Sequence, residues 1–365
     1  NTTLANWLPR WWNHALYFQD DWSVTPKLTL NLGLRWSYES PFDTKYGQHS
    51  QFDPTATDPL TGLRGAIVHP ATALARRDLN NFQPRVGMAY RLGNKMVLRG
   101  GFGLTTIDLF TAALDQNFEE YFTSVTLQRP SGDPRSAFVI SHGPGPVNYN
   151  ILPDGTSPFV GANYGSRSAT WWNPNIRNPY SMNWNATYQY QLAATWLAEL
   201  SYQGSAGVGL LNAWDHNSIP LNISTDRATL DQIYQNPQAY KPFTNFGRLD
   251  LWSNFGHSTF HSGTTKVEKR FSHGLTMTSF YTWGKAINDG DNDTFISGVT
   301  YYNRALEKAR ASYDLRHRSV TYATYDLPFG KGRKWLNSGG MKDYFLGGWQ
   351  ISWIQTFQSG TPVSF

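Results

Sequence analysis

The chain has 365 residues, 16% of them charged, a formal net charge of +5 and no cysteine, and its mean hydropathy is -0.48. Without cysteine there are no disulfides, thiolate metal sites or cysteine nucleophiles; without a run of about 18 apolar residues there is no transmembrane helix; a modest positive charge with no basic arm argues against nucleic acid as a partner. Aromatic residues make up 15%, including 15 Trp and 20 Tyr, which two interfacial bands or a sugar-binding surface would account for.

The predicted elements are strands. Segment 14–24 carries Leu16, Phe18 and Trp22 in one phase, with Asp20 intruding close to a turn. Leu28–Glu39 then alternates without a break, with Leu28, Leu30, Leu32, Leu34, Trp36 and Tyr38 against Thr29, Asn31, Gly33, Arg35, Ser37 and Glu39. Successive strand side chains point to opposite faces, so this segment has one apolar and one polar face. It would rise roughly 40 Å, against ~5–6 residues for an ordinary soluble strand, enough to cross a bilayer at a tilt. Trp36 and Tyr38 end the apolar face where an outer aromatic girdle belongs, and Arg35 faces the lumen.

The same test picks out 82–92 (Val86, Met88, Tyr90, Leu92) and 95–105 (Met96, Leu98, Phe102, Leu104). The cleanest later case is 180–192, with Tyr180, Met182, Trp184, Ala186, Tyr188, Tyr190 and Leu192 in phase. Strands 196–204, 258–271 and 275–288 follow, the last with Phe280 out of phase; 313–328 and 347–358 are strand-like but mixed. In the long connections, Leu109 to Phe122 and Asp226 to Tyr234 are helix candidates, the second with Asp226 as its cap.

Connections alternate in length. Thr25-Pro26-Lys27, Gly93-Asn94, Ala193-Ala194-Thr195 and Ser272-His273-Gly274 are short, whereas 40–81, 106–179, 205–257 and 289–312 are long. All the long loops therefore leave one rim, as in outer-membrane barrels with short periplasmic turns and long external loops. The expected fold is all-β: an antiparallel transmembrane β-barrel segment of about ten strands spanning 1–365, with long extracellular loops. The abrupt start and end read as a piece of a larger barrel, because an isolated segment leaves two edges unpaired in the membrane.

The hairpin Tyr17-Phe18-Gln19-Asp20-Asp21-Trp22 through Leu28-Thr29-Leu30-Asn31-Leu32-Gly33-Leu34-Arg35-Trp36 resembles the barrel of TonB-dependent outer-membrane receptors, especially the Oar-like group with a carboxypeptidase-regulatory-like N-terminal domain. Asn81-Phe82-Gln83-Pro84-Arg85-Val86-Gly87 with Leu98-Arg99-Gly100-Gly101-Phe102-Gly103 resembles a second hairpin of that family. Tyr313-Asp314-Leu315-Arg316-His317-Arg318 with Leu327-Pro328-Phe329-Gly330 resembles a third, and Gly348-Trp349-Gln350 and Gln358-Ser359-Gly360-Thr361-Pro362 also fit. The resemblance implies a barrel of roughly 22 strands with a plugged lumen. It implies outer-membrane lipid around the wall, a plug domain of the parent chain, and energised uptake through the TonB–ExbB–ExbD system. The TonB box, plug, regulatory-like domain and closing strands are expected outside this chain.

Among site candidates, Arg35, Arg85, Arg99, Lys266, Glu268 and Arg270, with Glu39 and Glu199, fall on the lumen face. They read either as a positively biased path for an anionic ligand or as partners of plug and cross-strand neighbours. Trp171 and Trp172, in the longest loop, are candidates for stacking on a sugar or peptide ring, against packing of that loop over the barrel mouth. Asp289, Asp291 and Asp293 are spaced like a calcium loop, but Thr294 and Thr300 occupy the places of the EF-hand Gly and Glu; the competing reading is a solvated acidic turn. No other cofactor is expected. His257 and His261 stand over 13 Å apart on a strand, so they are not a metal pair. No nucleophile elbow or phosphate loop appears, so an enzyme is not expected.

The sequence thus points to part of a TonB-dependent receptor in the outer membrane of a Gram-negative bacterium, taking up a siderophore, oligosaccharide or peptide. The alternatives are an outer-membrane structural or adhesion protein displaying its loops, a passive porin, and a soluble carbohydrate-binding β-protein.

Overall fold

The structure is a computed structural model that describes residues 2–3, 8–41, 43–70, 75–109, 120, 122–123, 132, 136, 138–143, 153, 156, 168–220, 222–291, 303–337 and 339–363. Ten long antiparallel strands follow one another in a single sheet: β1 (Asn13–Thr25), β2 (Leu28–Glu39), β3 (Phe82–Arg91), β4 (Met96–Thr106), β5 (Tyr180–Ala193), β6 (Trp196–Asp215), β7 (Leu249–Ser272), β8 (Leu275–Asn288), β9 (His317–Asp326) and β10 (Gln350–Gln358). Among the described residues the sheet is open, with β1 and β10 as its edges. No described helix is long and apolar enough to cross a membrane.

The tight turns lie where turn chemistry puts them. Between β7 and β8, His273 and Gly274 have φ of 52° and 80°, the left-handed pair that matches strand twist in a two-residue hairpin. A Cβ on Gly274 would come within 2.9 Å of the Asp326 carbonyl oxygen, so this turn requires glycine on two counts.

Register carries the period-2 pattern around the sheet. One rung runs Leu28, Tyr90, Leu98, Tyr188, Leu200, Thr265, Tyr281, Ser319, Phe357. This apolar face is bare: Leu16 and Phe18 are 71% and 72% exposed, and Leu34, Val86 and Leu200 are exposed too. The opposite face meets the loops, because Ser37, Glu39 and Gln83 near the long-loop rim are buried beneath them. Asp20 lies opposite Leu32 on the bare face, in mid-strand and not as close to a turn as the sequence suggested; nothing in the structure explains it.

β6 and β7 are far longer than the alternation suggested, and their extensions pair as Leu211 with Asn254 through Asp215 with Asp250. The register shifts around Leu210, next to Gly209 at φ 62°. A bulge inserts one residue and reverses the facing of all that follow, so the period is lost at that point and the extension reads as loop. β9 is shorter than expected because Asp314 is buried in the turn before it. Its carboxylate accepts from Ala286 N at 2.8 Å and from Arg310 Nε at 2.8 Å, which ties the entry of β9 to the end of β8.

Most of the buried apolar residues sit in the long connections and in the strand extensions that rise among them. A hairpin of Gln51–Thr57 with Arg64–Val68 and a strand Ala169–Trp172 parallel to β7 form a cap on the long-loop rim. One cluster joins Phe52, Ile67, Ala169, Phe243, Phe246 and Leu249; another joins Leu109, Trp172, Ile176, Ala213 and Trp252. Residues from three long connections meet in these clusters. The helix α1 (Arg227–Gln235) forms where expected, with Asp226 Oδ2 accepting from Thr229 N at 2.9 Å. Most of the other helix candidate, Leu109 to Phe122, falls outside the described residues.

Candidate functional site

The inner face of the wall carries the charges, in two groups. Arg35 stands opposite Gln83, and Arg85 opposite Gly33, so the two arginines are diagonal neighbours across the β2–β3 ladder. Arg85 also lies opposite Gly103, and Arg99 opposite Ala89 and Thr187. Space around Arg85 comes from its neighbours: Cβ atoms on Gly33 and Gly103 would sit 3.7 Å from its side chain. Among the described residues no hydrogen bond or ion pair reaches these three guanidinium groups.

The second group is self-satisfied. Lys266 Nζ lies 3.0 Å from Glu268 Oε2, and Glu199, opposite Lys266 in register, accepts from Gln189 Nε2 at 2.8 Å. Arg270 sits apart, exposed beside the short turn, where its backbone N–H donates to the Thr195 carbonyl. Glu39 belongs to neither group. At 2% exposure it lies under the cap, and its Oε2 accepts from Leu109 N at 2.8 Å and Asn178 Nδ2 at 3.2 Å. It joins loop to wall instead of facing an open lumen.

Trp172 is likewise removed from any ligand-facing surface. It is 1% exposed and stacks on Trp252 with centroids 5.8 Å apart and 13° between planes. Burying its large apolar area in the cap outweighs any benefit of leaving it as a platform. Trp171 pairs through its backbone with Leu251, and nothing is described of its side chain.

A cleft of about 370 Å³ opens between the end of β4, the extension of β6 and the end of β8. Ile107, Leu109, Leu210 and Leu211 supply its apolar wall, and Asp108, Asp289 and Asp291 edge it. The acidic residues are already engaged. Asp289 Oδ2 lies 2.6 Å from Arg304 and its Oδ1 accepts from His257 N at 2.7 Å. Asp291 accepts from Asn288 Nδ2 at 2.7 Å and from Ser312 N. Burial pushes the Asp291 carboxyl up, but these bonds outweigh it and leave its pKa below the ordinary value. Asp293 lies outside the described residues, and among those described no three His, Asp or Glu side chains gather as a metal site.

His257 and His261 are separate, as the strand spacing requires: His257 lies 3.6 Å from Asp289, while His261 Nδ1 meets the Tyr202 hydroxyl at 2.8 Å. Sequence reasoning missed the joining roles of Glu39 and Asp314. The Asp of Tyr313–Arg318 is visible as part of a motif, but its partner Ala286 lies in a different strand.

Among curated proteins no relative matches this chain. Many solved structures overlay on it, among them the following three. The outer membrane transporter YddB from Escherichia coli has 11% identity and a TM-score of 0.45, covering 86% of this chain and 31% of its own. The siderophore receptor PiuA from Acinetobacter baumannii has 9% identity and a TM-score of 0.43, covering 87% and 31%. The FrpB iron transporter from Neisseria meningitidis (F3-3 variant) has 12% identity and a TM-score of 0.41, covering 87% and 31%. The chain therefore spans about a third of the length of these proteins. The family model described as outer membrane beta barrel domain matches residues 1–365. With an apolar face turned outward on membrane-length strands, the chain belongs to the outer membrane beta barrel domain family and resides in the outer membrane of a Gram-negative bacterium.

Proposed function

We propose that this chain supplies part of the wall and outer cap of a TonB-dependent receptor that binds and imports a ligand with an anionic face. The observation that carries this reading is the trio Arg35, Arg85 and Arg99, which lines the inner wall without carboxylate partners among the described residues. Arginine offers a fixed fork of donors suited to carboxylate or phosphate. In a plugged barrel the same groups would also meet acidic side chains of the plug, so ligand and plug compete for them. The chemistry required is binding and release, with no catalytic step.

The test uses the full-length protein in its own cell. Uptake of an anionic siderophore or oligosaccharide is expected to stop when TonB is deleted, and to fall by about tenfold when the three arginines are replaced by glutamine. Uptake that persists without TonB would make the barrel a passive porin, and surface binding with no uptake in the wild type would make it an anchor.

A further inference from the structure

One connection on the short-turn rim breaks the rule of that rim. The other turns there are tight, whereas the chain between β9 and β10 runs from Leu327 to Trp349. It starts level with the His273–Gly274 turn, because Asp326 N donates to the Gly274 carbonyl at 2.8 Å. It is also folded. Trp335 N donates to the Pro328 carbonyl and Gly330 N to the Trp335 carbonyl, each at 2.9 Å, and the Phe329 and Trp335 rings lie 5.5 Å apart. The short helix α2 (Met341–Leu346) packs back on this strap. Asp343 Oδ1 accepts from Lys331 N at 2.7 Å, and a Cβ on Gly330 would sit 2.7 Å from the Gly347 Cα. Glycine thus lets the two ends of the connection touch backbone to backbone.

α2 is inside out. Met341, Tyr344 and Phe345 stand at i, i+3 and i+4, the spacing of one apolar stripe. The stripe turns away from the protein: Met341 and Tyr344 are 79% and 84% exposed, and Phe345 and Leu346 are exposed too. In water this arrangement forgoes the burial that holds a short helix together. Trp349 joins the stripe to the wall. Its Nε1 donates to the Phe345 carbonyl at 2.9 Å. Leu327 N donates to the Trp349 carbonyl at 2.8 Å, which carries the β9–β10 ladder one rung past Asp326 and Gln350. Trp349 therefore shares the phase of Ile351, Trp353 and Phe357 on the bare outer face, and all four are exposed. The apolar face of the wall continues into the outward stripe of the helix.

The free charges beside the stripe are positive. Lys331 and Lys334 are exposed, and Lys334 Nζ lies 5.2 Å from the Trp335 ring centre. The two nearby carboxylates are engaged, Asp343 by the Lys331 N–H and Asp326 by Gln350 Nε2 at 2.7 Å and Arg333 at 3.2 Å. An outward apolar stripe, Trp and Tyr at its border and lysines alongside are the makings of a helix that lies in a membrane interface.

We propose that the Leu327–Trp349 connection is a foot resting in the periplasmic leaflet of the membrane. Met341, Tyr344, Phe345 and Trp349 sink among the first acyl carbons, and Lys331 and Lys334 meet the phosphates of anionic phospholipid. Aromatic residues at strand ends are held in place by the ladder; here the chain leaves the ladder and enters the interface by a fold of its own. The foot lies off the ligand path, and the inference does not rest on the transport reading.

The test places an environment-sensitive NBD dye on Tyr344→Cys or Phe345→Cys of the full-length protein in vesicles of phosphatidylethanolamine and phosphatidylglycerol, with nitroxide lipids as quenchers. Both labels are expected to emit blue-shifted, and to be quenched about threefold more by a nitroxide close to the headgroup than by one near the bilayer centre. A label on Leu200→Cys, in mid-wall, should show the reverse order. Exchanging phosphatidylglycerol for phosphatidylcholine, or introducing Lys331→Gln/Lys334→Gln, is expected to lower the quenching at position 344 by about half. Heat-modifiable gel mobility checks that each barrel folds, and if one labelled variant does not fold the other decides. A blue shift without lipid quenching would mean that protein covers the helix, and an unshifted, unquenched label would mean water; either overturns the proposal. Quenching unchanged by both charge tests would overturn the assignment to an anionic surface. Ligand uptake is expected to be unchanged in Lys331→Gln/Lys334→Gln, so the foot and the transport reading fail separately.

Discussion

Leu34, Val86 and Leu200 on the wall stand exposed, whereas Phe52 and Phe246 in the cap are fully buried, each 0% accessible. The two regions draw on the same residue types. On the wall a strand hides its backbone in the ladder and turns its apolar side chains to lipid; in the cap the loops turn theirs inward, as a water-soluble core does. Phe52 meets Phe243 and Phe246 edge-on at 5.0 and 5.1 Å, the packing of an ordinary protein interior. The difference teaches that the solvent, not the composition, sets the direction of burial. A single mean hydropathy averages the two regions and reports neither.

Substitutions can break this contrast. The largest effect is expected in the cap, where Trp172→Ala or Phe246→Ala should cost about 3–5 kcal/mol by opening a cavity between loops. Hydrogen exchange of the full-length protein should show that loss in the cap amides, with the wall strands still protected. On the wall the sensitive change is charge. Leu200→Arg, outward and near mid-height, should cost about 2–4 kcal/mol, while Ser201→Arg, one residue on and facing inward, should cost about 1 kcal/mol or less. Denaturant unfolding in lipid vesicles separates these two variants. At the junction of the regions, Glu39→Ala strands the Leu109 N–H in a buried place and leaves Asn178 Nδ2 with the Ile107 carbonyl alone, for about 1–3 kcal/mol. Faster proteolytic nicking beyond β4 would report it.

The smallest effect concerns α1 in the cap. The backbone N–H of Thr229, then its hydroxyl, hold the Asp226 carboxyl below its ordinary 3.8. A depressed folded pKa stabilises above the unfolded value and loses that contribution as pH falls through the folded one. Amide protection of α1 should therefore be flat from neutral pH down to about 4 and decline below it, and Asp226→Ala should abolish the decline.

The wall was legible in the sequence because lipid on one side and polar lumen on the other impose a strict period of two. Leu28–Glu39, Tyr180–Ala193 and both strand ends at the His273–Gly274 turn could be read almost to the residue. The cap was not, for the complementary reason. Its clusters join residues such as Phe52, Ala169 and Phe246, which lie far apart in the chain and share no period. The bulge at Gly209 then hid the last stretch of β6, Leu210 to Asp215. Of the site, the inward facing of Arg35, Arg85 and Arg99 followed from phase alone. That Glu39 and Trp172 would be taken up by packing depended on loops arriving from elsewhere, and no local signal announces that.

Because the chain has no cysteine, the central claim can be tested one residue at a time. Single cysteines placed in turn from Trp196 to Gln203 of the full-length protein in lipid vesicles would carry a spin label, read against oxygen and a water-soluble nickel chelate. Oxygen contact is expected to peak at 196, 198, 200 and 202, with chelate contact peaking at the odd positions or suppressed there where a plug fills the lumen. An oxygen profile with no period of two, or with its peaks on the odd positions, would contradict it.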